Sequence, residues 1–217
     1  MRDSADEGRG GMAIDLKKTL DAYQAKQGVI RIVEVPPMQY LMIDGAGDPN
    51  TSSAFTEAVT ALMPIAYALK FASRRELGID TVVMPLEGLW HAPDMAAFTS
   101  RRDKSSWLWT LMVMVPDHIT PEMFADAVTA LQRRKDPSPA VPAVRLETIA
   151  EGTSVQTLHV GSFDDEGAVL ADLHDRFIPE HGLVMTGRHH EIYLSDLRRT
   201  EASKLRTILR QPVAPAD

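Results

Sequence analysis

The spacing of apolar residues divides the chain into strands and helices before any single residue is weighed. Ile30 to Val35 alternates and predicts a strand that Pro36-Pro37 ends. Gln39 to Ile43 predicts a second strand, with Tyr40 and Met42 on one face. Phe55, Val59, Leu62, Ala66 and Leu69 recur at spacings of three and four and predict a helix from about Ser52 to Phe71, kinked near Pro64. Arg74 to Gly78 then reads as a turn, and Thr81 to Leu86 as a strand leading into Glu87-Gly88-Leu89-Trp90. His91 to Ser100 reads as a polar connection. Ser106 to Val115 is the most apolar strand of all. Trp107, Trp109 and Leu111 take one face and Leu108, Met112 and Met114 the other, as in a central strand covered on both sides. Thr120-Pro121 has the form of a helix cap, with Phe124, Ala127, Val128 and Leu131 as the buried stripe.

Three prolines between Asp136 and Pro142 mark a linker, after which the order repeats. Val144 to Ile149 and Ser154 to Val160 read as strands. Phe163-Asp164-Asp165 opens a helix with Val169, Leu173 and Phe177 as its stripe. Arg188 to Asp196 reads as a strand, and Glu201 to Arg210 as a last short helix resting on Leu205, Ile208 and Leu209. The expected organisation is a polar, disordered segment over residues 1–15, then one α+β domain over 16–217. Its two halves, roughly 16–135 and 143–213, are joined by the linker 136–142. Half-sheets of this size bury little alone, so the halves should share a core, and the seam between them is a natural cleft.

Composition narrows the function. A net charge of -7 with only short basic clusters argues against nucleic-acid binding. There is no cysteine, so disulfides and thiolate metal sites are impossible. No apolar run reaches 18 residues and no signal-peptide core is present, so no membrane association is expected and the cytoplasm is the default compartment. Homodimerisation is open, since no sequence feature demands it.

The chemistry concentrates in Arg188 to Asp196. On a strand, Glu191 and Tyr193 share a face and sit about 7 Å apart. Glu87, at the end of an apolar strand, is a second carboxylate that needs a reason if buried. Trp90, Trp107 and Trp109 add flat apolar surface whose indole N–H groups want partners. Such a set suits a flat, cationic or polarised aromatic ligand. His189 and His190 point oppositely on a strand and do not join on one metal ion, so no metal is expected. No phosphate-binding glycine loop and no nucleophile elbow occurs.

Pro85 to Trp90, Trp107-Leu108-Trp109, and His189 to Asp196 with Arg198-Arg199-Thr200 resemble the GyrI-like small-molecule-binding family, as does Lys204 to Val213. The resemblance covers roughly Leu16 to Val213. It implies two strand-helix-strand-strand modules in pseudo-two-fold symmetry around a ligand cleft. Relatives include effector domains of multidrug-responsive activators, which bind lipophilic cations with aromatics and a buried glutamate. Other members hydrolyse the cyclopropane ring of DNA-alkylating cyclopropapyrroloindole compounds. By the resemblance, Glu191 and Tyr193 match the cleft glutamate and tyrosine, and Glu87 and Trp90 match further cleft positions. Tyr40, Trp107 and Trp109 are expected to touch ligand. The chain has no room for a winged-helix domain, so stand-alone binding of a planar aromatic molecule is expected, with cofactor-free ring hydrolysis as the alternative. In the hydrolytic case Glu191 or Glu87 would activate water and Tyr193 would stabilise the developing oxyanion.

Overall fold

A computed structural model describes residues 13–91, 106–196 and 198–216. In chain order these form α1 (Leu16–Thr19), β1 (Arg31–Val35), β2 (Met38–Ala46), α2 (Ser53–Leu77), β3 (Glu87–His91), β4 (Leu108–Val115) and α3 (Pro121–Gln132). The second half continues with β5 (Arg145–Ile149), β6 (Gly152–Val160), α4 (Gly167–Ala171), a π turn (Asp172–Phe177), α5 (Ile178–Glu180), β7 (Leu183–Met185), β8 (His189–Tyr193) and β9 (Arg206–Pro215). The fold is α+β, as the residue pattern predicts.

Among the described residues nine strands make one antiparallel sheet in the order β1-β6-β9-β8-β3-β4-β2-β5, with β7 beside β9. The connectivity repeats. In one half β2, β4 and β3 are neighbours, in the other β6, β9 and β8, and β3 meets β8 at the centre. Each half lends its leading strand to the other, since β1 pairs with β6 and β5 pairs with β2. The two halves expected on either side of 136–142 are therefore not separate in the sheet.

Register sorts the side chains into two faces. Pairing of Glu87 with Ile192, Leu89 with His190 and His190 with Arg210 places these residues on one face, here called the back. Trp90, Trp109, Leu111, Glu191 and Tyr193 fall on the other, the front. Helix α2 lies on the front of β2 and β4, burying Ala58, Ala61, Leu62, Ile65 and Leu69. The segment α4 to α5 covers β6 and β9 through Leu173 and Ile178, packed with Val155 and Val213. The front of β3 and β8 is the strip between the two helical covers, with Trp90 and Tyr193 buried on it.

Several elements depart from the pattern-based expectation. Helix α2 runs through Pro64 and past Phe71 to Leu77, taking in the predicted turn. Arg74 and Arg75 sit in its last turn, where cations suit the dipole, and Gly78 caps it at φ 71°. The strand expected over Thr81 to Leu86 begins instead at Glu87, beyond Pro85, which has no N–H for a ladder. The expected C-terminal helix is wrong. Only Ala202–Lys204 forms a 3₁₀ turn, and Arg206 onward is β9. The three-residue strand β7 is not anticipated. Ile14 bridges Thr81 and Asp15 caps α1, so these two residues of the segment expected to be disordered are held in the fold. The rest of the expected disordered segment and most of the connection after His91 lie outside the described residues.

Candidate functional site

On the front strip, Trp90 Nε1 donates to Tyr193 Oη at 3.0 Å, and Tyr193 Oη donates to Glu191 Oε2 at 2.8 Å. An indole N–H can only donate, so the phenol proton is directed at the carboxylate. Trp90 is paired with His189 across the β3–β8 ladder, and Glu191 with Gly88. Gly88 is required here. A Cβ at this position would lie 2.8 Å from Trp90 Nε1 and 3.2 Å from Tyr193 Oη. The missing side chain is what allows the Trp90–Tyr193–Glu191 chain to lie across the strand.

Aromatic rings extend from this chain in both directions. Trp107 meets Trp90 edge-on with centroids 5.6 Å apart, and Phe55 of α2 stacks on Trp90 at 6.3 Å. Trp109 is edge-on to Phe55 at 5.3 Å, fully buried, with its N–H on the Gly47 carbonyl at 3.2 Å. On the other side Phe163 is edge-on to Tyr193 at 5.7 Å.

The polar groups beside Glu191 are unusual in lacking partners. Glu166 is 5% exposed and its Oε1 has no hydrogen bond, and the same holds for both nitrogens of His189, His174 Nε2 and Thr207 Oγ1. His174, on the π turn, is edge-on to His189 with centroids 5.6 Å apart. His189 Nε2 lies 3.7 Å from Glu191 Oε1, beyond hydrogen-bond reach. Burial pushes the Glu191 carboxyl up to about 7, against the opposing hydrogen bond from Tyr193 and charge of His190. Burial, then the charges of Glu191 and Asp164, push Glu166 to about 10. Burial and the nearby His174 hold the His189 imidazole down at about 3, so it is neutral. Burial and the charge of Glu191 raise the Tyr193 phenol well above its ordinary value.

The structure does not bring Glu87 or Tyr40 to this strip. Both lie on the back face and are buried, which corrects the expectation that they share a cleft with Glu191. Glu87 accepts from Tyr23 Oη at 2.6 Å and binds His190 Nε2 at 2.9 Å. His190 Nδ1 binds Glu151 at 2.9 Å, and Glu151 binds Arg210 at 2.7 Å. Arg210 also meets Gln156 and the Ala22 carbonyl. Burial works against charge here, but His190 and Arg210 overcome it and hold Glu151 down at about 2. Two acidic side chains, an imidazole and a guanidinium thus form a closed, hydrogen-bonded set that ties the segment around Tyr23 to the sheet. Among the described residues no cluster has the arrangement of a metal site.

Of the sequence-derived site residues, Glu191, Tyr193, Trp90 and Trp107 therefore come together, with Trp109 one ring further out. Phe55, Phe163, His174 and Glu166 were not anticipated. Glu166 follows Asp164 and Asp165, and such a run at a helix start reads as ordinary solvated charge. Only its burial separates it from the others.

An acidic and aromatic cluster on the centre of an antiparallel sheet, between two helical covers, defines a small-molecule-binding α+β domain. The chain belongs to the GyrI-like family, whose small molecule binding domain matches residues 29–214. It is similar to a hydrolase from Listeria innocua at 35% identity and a TM-score of 0.80, over 93% of this chain and 100% of that one. It is also similar to a hydrolase encoded by lin2189 of Listeria innocua at 34% identity and a TM-score of 0.82, over 94% and 100%. The C-terminal domain of EcmrR shares the fold at 12% identity and a TM-score of 0.51, over 87% and 98%. None of the curated proteins matches the chain. No helix among the described residues is long and apolar enough to cross a membrane.

Proposed function

We propose that this protein binds a flat, conjugated small molecule against Trp90, Trp107 and Tyr193 and adds water across a strained ring on it. The observation that carries this reading is the Trp90–Tyr193–Glu191 hydrogen-bond chain, which fixes one oxygen of a carboxyl that titrates near neutrality. A general base works best when its pKa lies near the operating pH. Glu191 Oε2 is held by Tyr193, leaving Oε1 to take a proton from water, with His189 Nε2 3.7 Å away. Neutral His189 can hold that water while Glu191 takes its proton. The water oxygen bonds to the ring carbon, the strained C–C bond breaks, and its electron pair moves into the conjugated carbonyl. The proton of Tyr193 is committed to Glu191, so Tyr193 serves to position the base rather than to stabilise the developing oxyanion. The similarity to two Listeria hydrolases over nearly the whole chain supports this reading.

The test is incubation with a cyclopropane-bearing conjugated dienone, followed by mass spectrometry for addition of one water. Wild type should turn over, and Glu191→Gln should lose about 10²–10⁴-fold in kcat while retaining ligand affinity. A second reading, binding without turnover, is favoured by the same aromatic wall if the ligand is a cation. A bound cation would draw Glu191 to its ionised form, so binding would release a proton. Calorimetry in two buffers of different ionisation enthalpy measures that release. Proton release with no mass change across several such ligands would replace hydrolysis by simple binding.

A further inference from the structure

The reaction above ends with a negative charge on the ligand carbonyl oxygen and names no group to neutralise it. Glu166 is a buried carboxyl within electrostatic reach of Glu191 that this scheme leaves unused. It follows the turn Phe163–Asp165 and immediately precedes α4. Phe163 leans edge-on against Tyr193, so this turn is laid over the same stretch of β8 that carries Glu191. Glu166 is 5% exposed, and its Oε1 has no hydrogen-bond partner. A buried carboxyl without a cation or a donor is costly as an ion and is kept neutral. Proteins retain such groups where a proton is needed.

We propose that Glu166 is the proton donor of this site, acting opposite Glu191 as the base, a role that rests on the hydrolytic reading above. Water gives one proton to Glu191 and its oxygen to the ring carbon. The C–C bond breaks toward the carbonyl, and the carbonyl oxygen takes the proton of Glu166. The pair begins and ends with one proton, moved from Glu166 to Glu191, and exchange between them or with solvent resets it.

The surroundings keep the two carboxyls in different states. Titratable groups on the neighbouring elements include Asp164 and Asp165 on the same turn, Asp172, His174, Asp175 and Arg176 on the π turn, and His159 on β6. From β8 come His189, Glu191 and Tyr193. Burial first, then the charges of Glu191 and Asp164, raise Glu166 to about 10, whereas Tyr193 and His190 moderate Glu191 at about 7. Neither His189 nor His174 supplies a cation, since burial lowers both. Two carboxyls with separated pKa values divide the acid and base roles between them.

The test combines kinetics with a readout that needs no turnover. Wild-type kcat/KM should rise through the pKa of Glu191 and fall through that of Glu166. Glu166→Gln should lose about 10²–10⁴-fold and its residual rate should have no alkaline fall, with Glu166→Asp restoring part of both. Infrared spectra recorded between the two pKa values should show a protonated carboxyl stretch in wild type that is absent from Glu166→Gln. If wild type lacks that band, or if Glu166→Gln turns over at the wild-type rate with the alkaline fall intact, the donor role is overturned. If the band is present but wild type adds water to no cyclopropane probe, the hydrolytic reading fails, and the donor role fails with it.

Discussion

At the scale of single residues, the orientation of one phenol decides what Glu191 can do. Trp90 can only donate, so Tyr193 must accept from it and donate onward to Glu191. That bond favours the ionised carboxylate and opposes the effect of burial. Tyr193→Phe should therefore raise the Glu191 pKa above about 7 and move the acid limb of the pH–rate profile to higher pH. Activity at neutral pH should fall about tenfold for each unit of that shift. Ligand-dependent quenching of tryptophan fluorescence should remain, since the rings that bind are still present. An unmoved acid limb in Tyr193→Phe would remove the positioning role.

At the scale of elements, the β3–β8 ladder decides which residues can meet. Strand alternation separates Glu87 from Trp90, three positions apart, and His190 from Glu191, one apart. The wrong grouping of Glu87 with Trp90 was thus correctable from the sequence once both were placed on one strand. The site floor depends on Gly88, whose position faces Glu191 in the ladder. Gly88→Ala would put a methyl 2.8 Å from Trp90 Nε1, so the indole or the phenol must shift. Binding of planar ligands should weaken about tenfold or more, and stability should drop by about 1–3 kcal/mol through overpacking. Fluorescence titration and thermal melting check the two effects. Strand β9 shows the opposite limit. Leu205, Ile208 and Leu209 fit helical spacing, but a strand buried on both faces gives the same run of apolar residues. Its place between β6 and β8 settles the matter, because both neighbours need a partner there.

At the scale of the whole molecule, the sheet separates two buried sets of charges with different purposes. The back-face set is closed, its acidic side chains bonded to His190 and Arg210, whereas the front-face set leaves Glu166 unpaired. The second arrangement should reduce stability in a defined pH window. Glu166 is protonated in both folded and unfolded protein below about 4.5 and contributes nothing there. Between about 4.5 and about 10 the unfolded chain releases that proton and the folded protein keeps it, so stability falls as pH rises. Glu166→Gln removes this dependence. The variant should gain on wild type as pH rises through that window, by up to about 1.4 kcal/mol per pH unit. Denaturant unfolding of both proteins across the pH range measures the difference. Equal stability at every pH would mean that Glu166 is not held neutral by the fold.

Local pattern along the chain was enough for the α+β class and for the pairing of Glu191 with Tyr193 on one face. These follow from local periodicity and alternation, which neighbouring residues along the chain carry between them. Trp90 and Trp107 were legible for a related reason, as aromatics on apolar strands that each need somewhere to lie. Long-range packing alone puts Tyr40 on the back face, joins Glu87 there to Tyr23 and His190, and lets β1 and β5 exchange places between the halves. It also turned Glu166, one of three consecutive acidic residues, into a buried group beside Glu191. Burial and strand register are set by residues far apart in the chain, and no local pattern contains them.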